Sequence, residues 1–278
     1  MIIKNREFIN VDNAVNILDR GFLFGDGIFE TCLVMNSKLC NIFYHKERIL
    51  KGLKLLEFKT VSNDDVVSIF IDCKRLLEEN KIIDGLIKII ITRGEGSIGY
   101  FPINNIKNNI FIYSEEKRNI NITDNKIILG IAAERSHHQA IGNIKTLQAM
   151  PYIINKMNAA KHSLFDLIMI DKNGYISETS SANIFWIKNQ EILTPSLDCN
   201  IVAGTIRSLI INNKIVAIRE VKAKAEELKQ ANEIFLTNAS KILIPVNEIR
   251  FGNMIVSYGN EKSLIIKNKI IDYLTAED

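Results

Sequence analysis

Four short segments carry side chains that could work on a phosphate-bearing aldehyde. Lys145, in Gly142-Asn143-Ile144-Lys145-Thr146, offers an amine that can condense with an aldehyde once it is neutral. Desolvation in a cleft would favour that neutral form; the other reading is a solvated lysine in a lysine-rich chain. Glu178, in Ser177-Glu178-Thr179-Ser180-Ser181-Ala182-Asn183, could keep a ring nitrogen protonated, or could cap local amides as a turn carboxylate. Ser180, Ser181 and Asn183 are common turn residues that could orient their neighbours. Gly204-Thr205-Ile206 opens a helix, where exposed N–H groups and a hydroxyl suit an anion, or simply start the helix. Arg48, in His45-Lys46-Glu47-Arg48, could clamp a phosphate by paired hydrogen bonds, or join a surface salt bridge with Glu47 or another acid.

Such side chains need elements to hold them. Phe29 to Met35 reads as a strand, Asn36-Ser37 as a turn and Lys38 to Phe43 as the returning strand. Arg48 then falls on a helix from Tyr44 to Phe58, with Ile49, Leu53 and Leu56 on one face. A second helix is expected from Asp64 to Glu79, behind the N-cap candidates Ser62-Asn63-Asp64. Leu86 to Thr92 and Asn109 to Ser114 are apolar, β-branched strands. The glycine-rich stretch Arg93 to Pro102 between them reads as a site loop or as an ordinary long connection. Further strands are expected at Lys126 to Ala133, Ala182 to Ile187 and Glu233 to Thr237, with helices at Pro151 to His162 and from Thr205 to Ile211. Leu167 to Ser177 reads as a hairpin turning at Lys172-Asn173-Gly174, which leads into Glu178. This pattern predicts an α+β fold of an N-terminal domain over 1–116, a polar linker over 117–122 and a C-terminal domain over 123–278.

Composition narrows the class. A chain of 278 residues, 47% hydrophobic, can bury a large core, and a net charge of +3 gives no electrostatic case for nucleic acid. Cys32, Cys40, Cys73 and Cys199 are dispersed, which predicts a reduced, cytoplasmic protein without a zinc site. His137-His138 lacks suitably spaced further ligands, so it reads as loop and no metal is expected. The opening residues lack an apolar signal core, and no apolar run approaches the ~20 residues that span a bilayer, so no membrane role is expected.

In this order the segments resemble the class IV (fold-type IV) pyridoxal-phosphate enzymes: branched-chain aminotransferases, D-amino-acid aminotransferases and aminodeoxychorismate lyases. Leu18 to Thr31 is similar to the family's N-terminal signature, and His45 to Arg48 to its HxxR phosphate motif. Lys145 matches the Schiff-base lysine, Asp166 to Trp186 the stretch around the pyridine-binding glutamate, and Gly204 to Arg207 the phosphate turn. Thr237-Asn238-Ala239-Ser240 falls at the late loop near the cofactor. The resemblance implies a smaller N-terminal α/β domain, a larger strand-rich pseudo-barrel domain, pyridoxal 5'-phosphate between them, and a homodimer whose partner loop closes the site. It implies Lys145 as the catalytic residue. Arg48, Glu178, Ser181, Asn183, Gly204, Thr205, Ile206 and Ser240 are implied cofactor contacts, and Thr31 and Tyr100 substrate contacts.

The departures bear on the subgroup. Met150 stands where branched-chain enzymes have a tyrosine, Leu33 where aminotransferases place a basic residue, and Ile98 where many lyases have arginine; Gln148 replaces the usual Asn. Asn183-Ile184-Phe185-Trp186 and Thr237-Asn238-Ala239 are similar to lyase segments, although the single Trp also suits core packing. The expected function is conversion of 4-amino-4-deoxychorismate to 4-aminobenzoate and pyruvate in folate biosynthesis; the alternative is a class IV aminotransferase acting on D- or branched-chain amino acids. A non-catalytic binding protein on the same fold is a further reading.

Overall fold

The computed structural model describes residues 1–12, 14–96, 98–103, 106–117, 126–136, 141 and 143–276. They divide into two compact units, Met1–Ile120 with Ile144–Gln148, and Asn121–Asn143 with Ala149–Asp278. The expected linker over 117–122 and the His137-His138 pair fall largely or wholly outside the described residues.

The first unit contains β1 (Ile2–Lys4), β2 (Glu7–Ile9), α1 (Arg20–Phe24), β3 (Gly27–Met35), β4 (Lys38–Leu39), α2 (Ile42–Leu55), α3 (Asn63–Asn80), β5 (Gly85–Thr92) and β6 (Asn109–Glu116). Its strands form one antiparallel sheet in the order β2-β1-β6-β5-β3-β4. Alternation along β3 buries Ile28, Glu30, Cys32 and Val34 on the face covered by α2 and α3, and turns Phe29 and Thr31, both half-buried, to the other face. The return strand is shorter than the sequence suggested. Asn41 takes a left-handed conformation (φ 60°) after Cys40, and α2 begins at Ile42, so the expected strand over Lys38 to Phe43 stops at Leu39. At α3, Ser62 Oγ accepts from the Asp65 amide while the Asp65 carboxylate accepts from the Ser62 amide, closing a capping box.

The second unit contains β7 (Ile128–Ser136), α4 (Met150–Lys161), β8 (Asp166–Asp171), β9 (Ile176–Thr179), β10 (Asn183–Lys188), β11 (Glu191–Pro195), α5 (Thr205–Asn212), β12 (Ile218–Val221), β13 (Glu233–Asn238), β14 (Ile242–Val246), β15 (Glu248–Phe251), β16 (Met254–Ser257) and α6 (Glu261–Ala276). Two five-stranded sheets, β12-β11-β10-β13-β14 and β16-β15-β7-β8-β9, share one core that includes Leu129, Ile168, Ile184, Trp186, Leu236 and Ile249. On the other side of the first sheet, Phe185 and Phe235 stack at 5.0 Å beneath α5 and α6. Strand-rich α+β architecture was legible from the sequence. The strands β14 to β16 and the helix α6 were not anticipated.

Candidate active site

Lys145 belongs by packing to the first unit. Its segment lies along β3: Lys145 O accepts from the Phe29 amide at 3.0 Å, the Leu147 amide donates to Gly27 O at 3.0 Å, and Thr146 bridges Ile28. Two glycines of the Leu18–Thr31 segment make room for it. A Cβ at Gly27 would press on Leu147, and one at Gly25, which is left-handed at φ +66°, would press on Gln148. Backbone bonds therefore fix where the lysine starts, and its Nζ lies 4.4 Å from the centroid of the Phe29 ring.

The rest of that segment is structural. Asp19 is fully buried and accepts from the Gly21 amide, Thr92 Oγ1 and Asn109 Nδ2. Asp26 joins Arg20 at 2.9 Å and Arg93 at 2.8 Å. Arg20 also donates to the carbonyls of Gly99 and Tyr100, which fixes that backbone while the Tyr100 side chain remains 85% exposed. Ile98 is exposed as well, and Ser97 lies outside the described residues.

Arg48 is buried, not part of a surface salt bridge. Its Nε and Nη2 donate to the two oxygens of Glu30 at 2.7 and 2.6 Å, and His45 Nδ1 lies 2.6 Å from Glu30 Oε2. Burial pushes the Glu30 carboxyl up, but Arg48 and then His45 outweigh it and hold the group at about 2, against an ordinary 4.5. Glu30 was missed in the sequence. A glutamate two residues before Cys32 in an otherwise apolar strand was the available signal.

Glu178 lies on β9 in the second unit and is buried. Its Oε1 accepts from the Val202 amide and from Tyr152 Oη, both at 3.0 Å, and its Oε2 accepts from Asn183 Nδ2 at 3.0 Å. Tyr152 sits on the first turn of α4, two residues beyond the exposed Met150. Burial and then the nearby Glu178 raise its hydroxyl far above the ordinary tyrosine range, so it remains a donor. Tyr152 was also missed, because its partner is 26 residues away along the chain.

Asn183 links Glu178 to the start of α5. It donates to Val202 O at 3.0 Å, and a Cβ on Gly204 would overlap its side-chain oxygen. Thr205 is buried at that helix start, and among the described residues its Oγ1 has no hydrogen-bond partner; Thr237 Oγ1 on β13 is in the same condition. Orphaned buried hydroxyls are rare, and one beside the N–H groups of a helix start is what a bound anion would satisfy. Ser181 and Ser180 are engaged elsewhere, donating to Asp166 at 2.7 and 2.6 Å. Ser240 Oγ donates to Asn238 Oδ1 at 3.1 Å, and Asn238 Nδ2 reaches back to Ser181 O. Trp186 is fully buried in the core.

Residues 27–249 match the family model described as amino-transferase class IV, and the chain belongs to that family. Its members are pyridoxal-phosphate-dependent aminotransferases and lyases, and the chain is an enzyme of that class. It is 25% identical to an aminodeoxychorismate lyase of Bacillus subtilis, over 97% of this chain and 94% of the relative. It is 27% identical to a D-alanine aminotransferase of Staphylococcus epidermidis, over 89% and 88%. Among solved structures, a branched-chain amino acid aminotransferase from Escherichia coli superposes with a TM-score of 0.87 at 20% identity, covering 99% of this chain and 94% of that one.

Proposed function

We propose that the chain is a pyridoxal-phosphate-dependent aminodeoxychorismate lyase that releases 4-aminobenzoate and pyruvate, supplying folate synthesis as a cytoplasmic homodimer. The observation that carries the cofactor assignment is the buried, partnerless Thr205 hydroxyl at the start of α5. With the amides of Gly204 to Ile206 it offers a phosphate site in the second unit. Glu178 is oriented by Tyr152, Asn183 and Val202 to keep a proton on the ring nitrogen. Ser181 and Ser240 act through their neighbours Asp166 and Asn238.

When bound, the cofactor supplies an electron sink for the substrate carbon that bears the amine. Lys145 would hold its aldehyde, and with the substrate in place the amine of Lys145 is the base for the proton on that carbon. In the lyase reading the C–O bond of the enolpyruvyl ether breaks next. The proton held by Lys145 restores the methyl group of pyruvate, and the ring becomes aromatic, so no further reactant is needed. Thr31 and Tyr100 are assigned to the substrate.

The near full-length match to a lyase supports this subgroup, as does Thr237-Asn238-Ala239. The burial of Trp186 removes that residue from the argument. The second reading, aminotransferase, is favoured by the 27% identity to a D-alanine enzyme. In it, Lys145 keeps its role as base and proton carrier, and no C–O bond breaks. A paired assay of the loaded protein separates them. Release of 4-aminobenzoate and pyruvate without amino transfer from D-alanine, L-leucine or L-glutamate is expected; transfer without 4-aminobenzoate would replace the first reading by the second.

A further inference from the structure

Asp166 opens β8 as a fully buried carboxylate, and the proposed mechanism gives it no role of its own. An apolar residue would serve the strand equally well before Leu167-Ile168-Met169-Ile170, and burying a charge there costs stability. Its bonds run to one corner. Oδ1 accepts from Ser180 Oγ at 2.6 Å and from the Ser180 amide at 3.2 Å, besides the adjoining Leu167 amide at 2.8 Å. Oδ2 accepts from Ser181 Oγ at 2.7 Å. Within the turn from β9 to β10, Thr179 Oγ1 donates to Ala182 O and accepts from the Ala182 amide, both at 3.1 Å. The turn is thus closed from inside and held from outside by a single carboxylate.

Glu178 needs such a hold. The register pairs Ile168 with Thr179 but Ile170 with Ile176, so β9 carries one residue more than β8 between those pairs. The result is a bulge at Ser177 and Glu178, and a bulge re-aims the side chains it carries. All of β9 is buried, without the alternation by which a regular ladder would fix the direction of Glu178. Pairing resumes at Thr179, and Asp166 takes the chain immediately beyond it. The helix α4 addresses the same two acids. Tyr152 and Lys156 lie four residues apart on one helix face. Tyr152 Oη donates to Glu178 Oε1 at 3.0 Å, and Lys156 Nζ lies 3.5 Å from Asp166 Oδ2. At the far end of the turn Asn183 bonds both Glu178 Oε2 and Val202 O, so a shift of the turn would move Glu178 and Asn183 together.

We propose that Asp166 is a positioning residue for the reaction. It fixes the turn and the α4 face that together aim Glu178, and it acts on the cofactor only through that carboxylate. Ser180 and Ser181 are the handles by which it holds the turn. The proposal rests on the reading of Glu178 as the ring-nitrogen carboxylate.

The test is a mutant cycle on the cofactor-loaded protein. It compares Asp166→Asn, the pair Ser180→Ala with Ser181→Ala, Glu178→Gln, and each of the first two combined with Glu178→Gln. Asp166→Asn keeps the shape and removes the charge. The serine pair removes the handles and leaves Asp166 in place, so it answers the question even where Asp166→Asn does not fold. Turnover is followed in the reaction that the paired assay identifies. Each change is expected to lower turnover at least about fivefold with KM held within about twofold, and to have less than about a twofold effect in the Glu178→Gln background, because residues that act as a unit are not additive. The pH titration of the bound cofactor's visible absorbance should shift in both, toward that of Glu178→Gln. Equal losses of turnover in the two backgrounds would overturn the proposal, as would wild-type turnover or an unmoved absorbance titration in the variants. Glu178→Gln with wild-type turnover and an unmoved titration would sink the reading of Glu178 instead.

Discussion

Glu30 and Glu178 are both buried carboxylates held by several hydrogen bonds, one in each unit. At Glu30 the donors include a guanidinium and an imidazole, and the negative charge is matched where it stands. At Glu178, bonds come from a phenol, an amide side chain and a backbone N–H. Those three donors are neutral and fix the carboxylate's direction. A carboxylate matched by cations is a structural joint, while one aimed by dipoles can still act on something else.

The sharpest way to break the comparison is Glu178→Gln. It keeps the shape and removes the charge, so turnover should fall by about a hundredfold or more while the fold stays intact. A melting curve alongside the rate separates the two. Turnover near wild type would make Glu178 as structural as Glu30.

The converse change is Glu30→Gln, which leaves Arg48 buried without its counter-charge. Breaking such a pair typically costs about 3–5 kcal/mol, readable from denaturant unfolding. Acid adds a second readout. The Glu30 carboxyl is lower in the folded state (about 2) than its ordinary 4.5, so its stabilisation is complete above that ordinary value and is lost as pH falls toward 2. Unfolding followed across that window should show a weaker acid dependence in Glu30→Gln than in wild type; equal slopes would exclude Glu30 as its source.

Tyr152→Phe should give the smallest effect. It removes one of the neutral donors at Glu178 and should cost about 1 kcal/mol, with less than about a tenfold change in turnover. The pH dependence of the bound cofactor's absorbance should move as well. A melting shift with an unmoved absorbance titration would make Tyr152 mere packing.

Much of this was legible because it is local. The capping residue Ser62, the hairpin turn at Lys172-Asn173-Gly174 and the apolar alternation of β3 each announce themselves within a few residues. Lys145, Glu178 and Thr205 stood out through short motifs. What stayed hidden depends on distant pairing. Nothing near Tyr152 points to Glu178, nothing near Arg48 points back to Glu30, and the partners that engage Ser181 and Ser240 emerge only once the turns are folded. Lys38 to Phe43 misled because its apolar residues suit a strand, whereas the left-handed Asn41 diverts the chain into a helix.

The segment 144–148 has a consequence for inheritance. The chain builds most of the first unit, moves on to the second, and then sends these five residues back to line β3 before continuing. The bed for the reactive lysine and the lysine itself are thus encoded far apart. A chimera joined near residue 117 would take its glycines from one parent and its lysine from the other. Gly25 and Gly27 must then suit a foreign Leu147 and Gln148, so recombination at the apparent domain boundary would divide the part that most needs to be inherited whole.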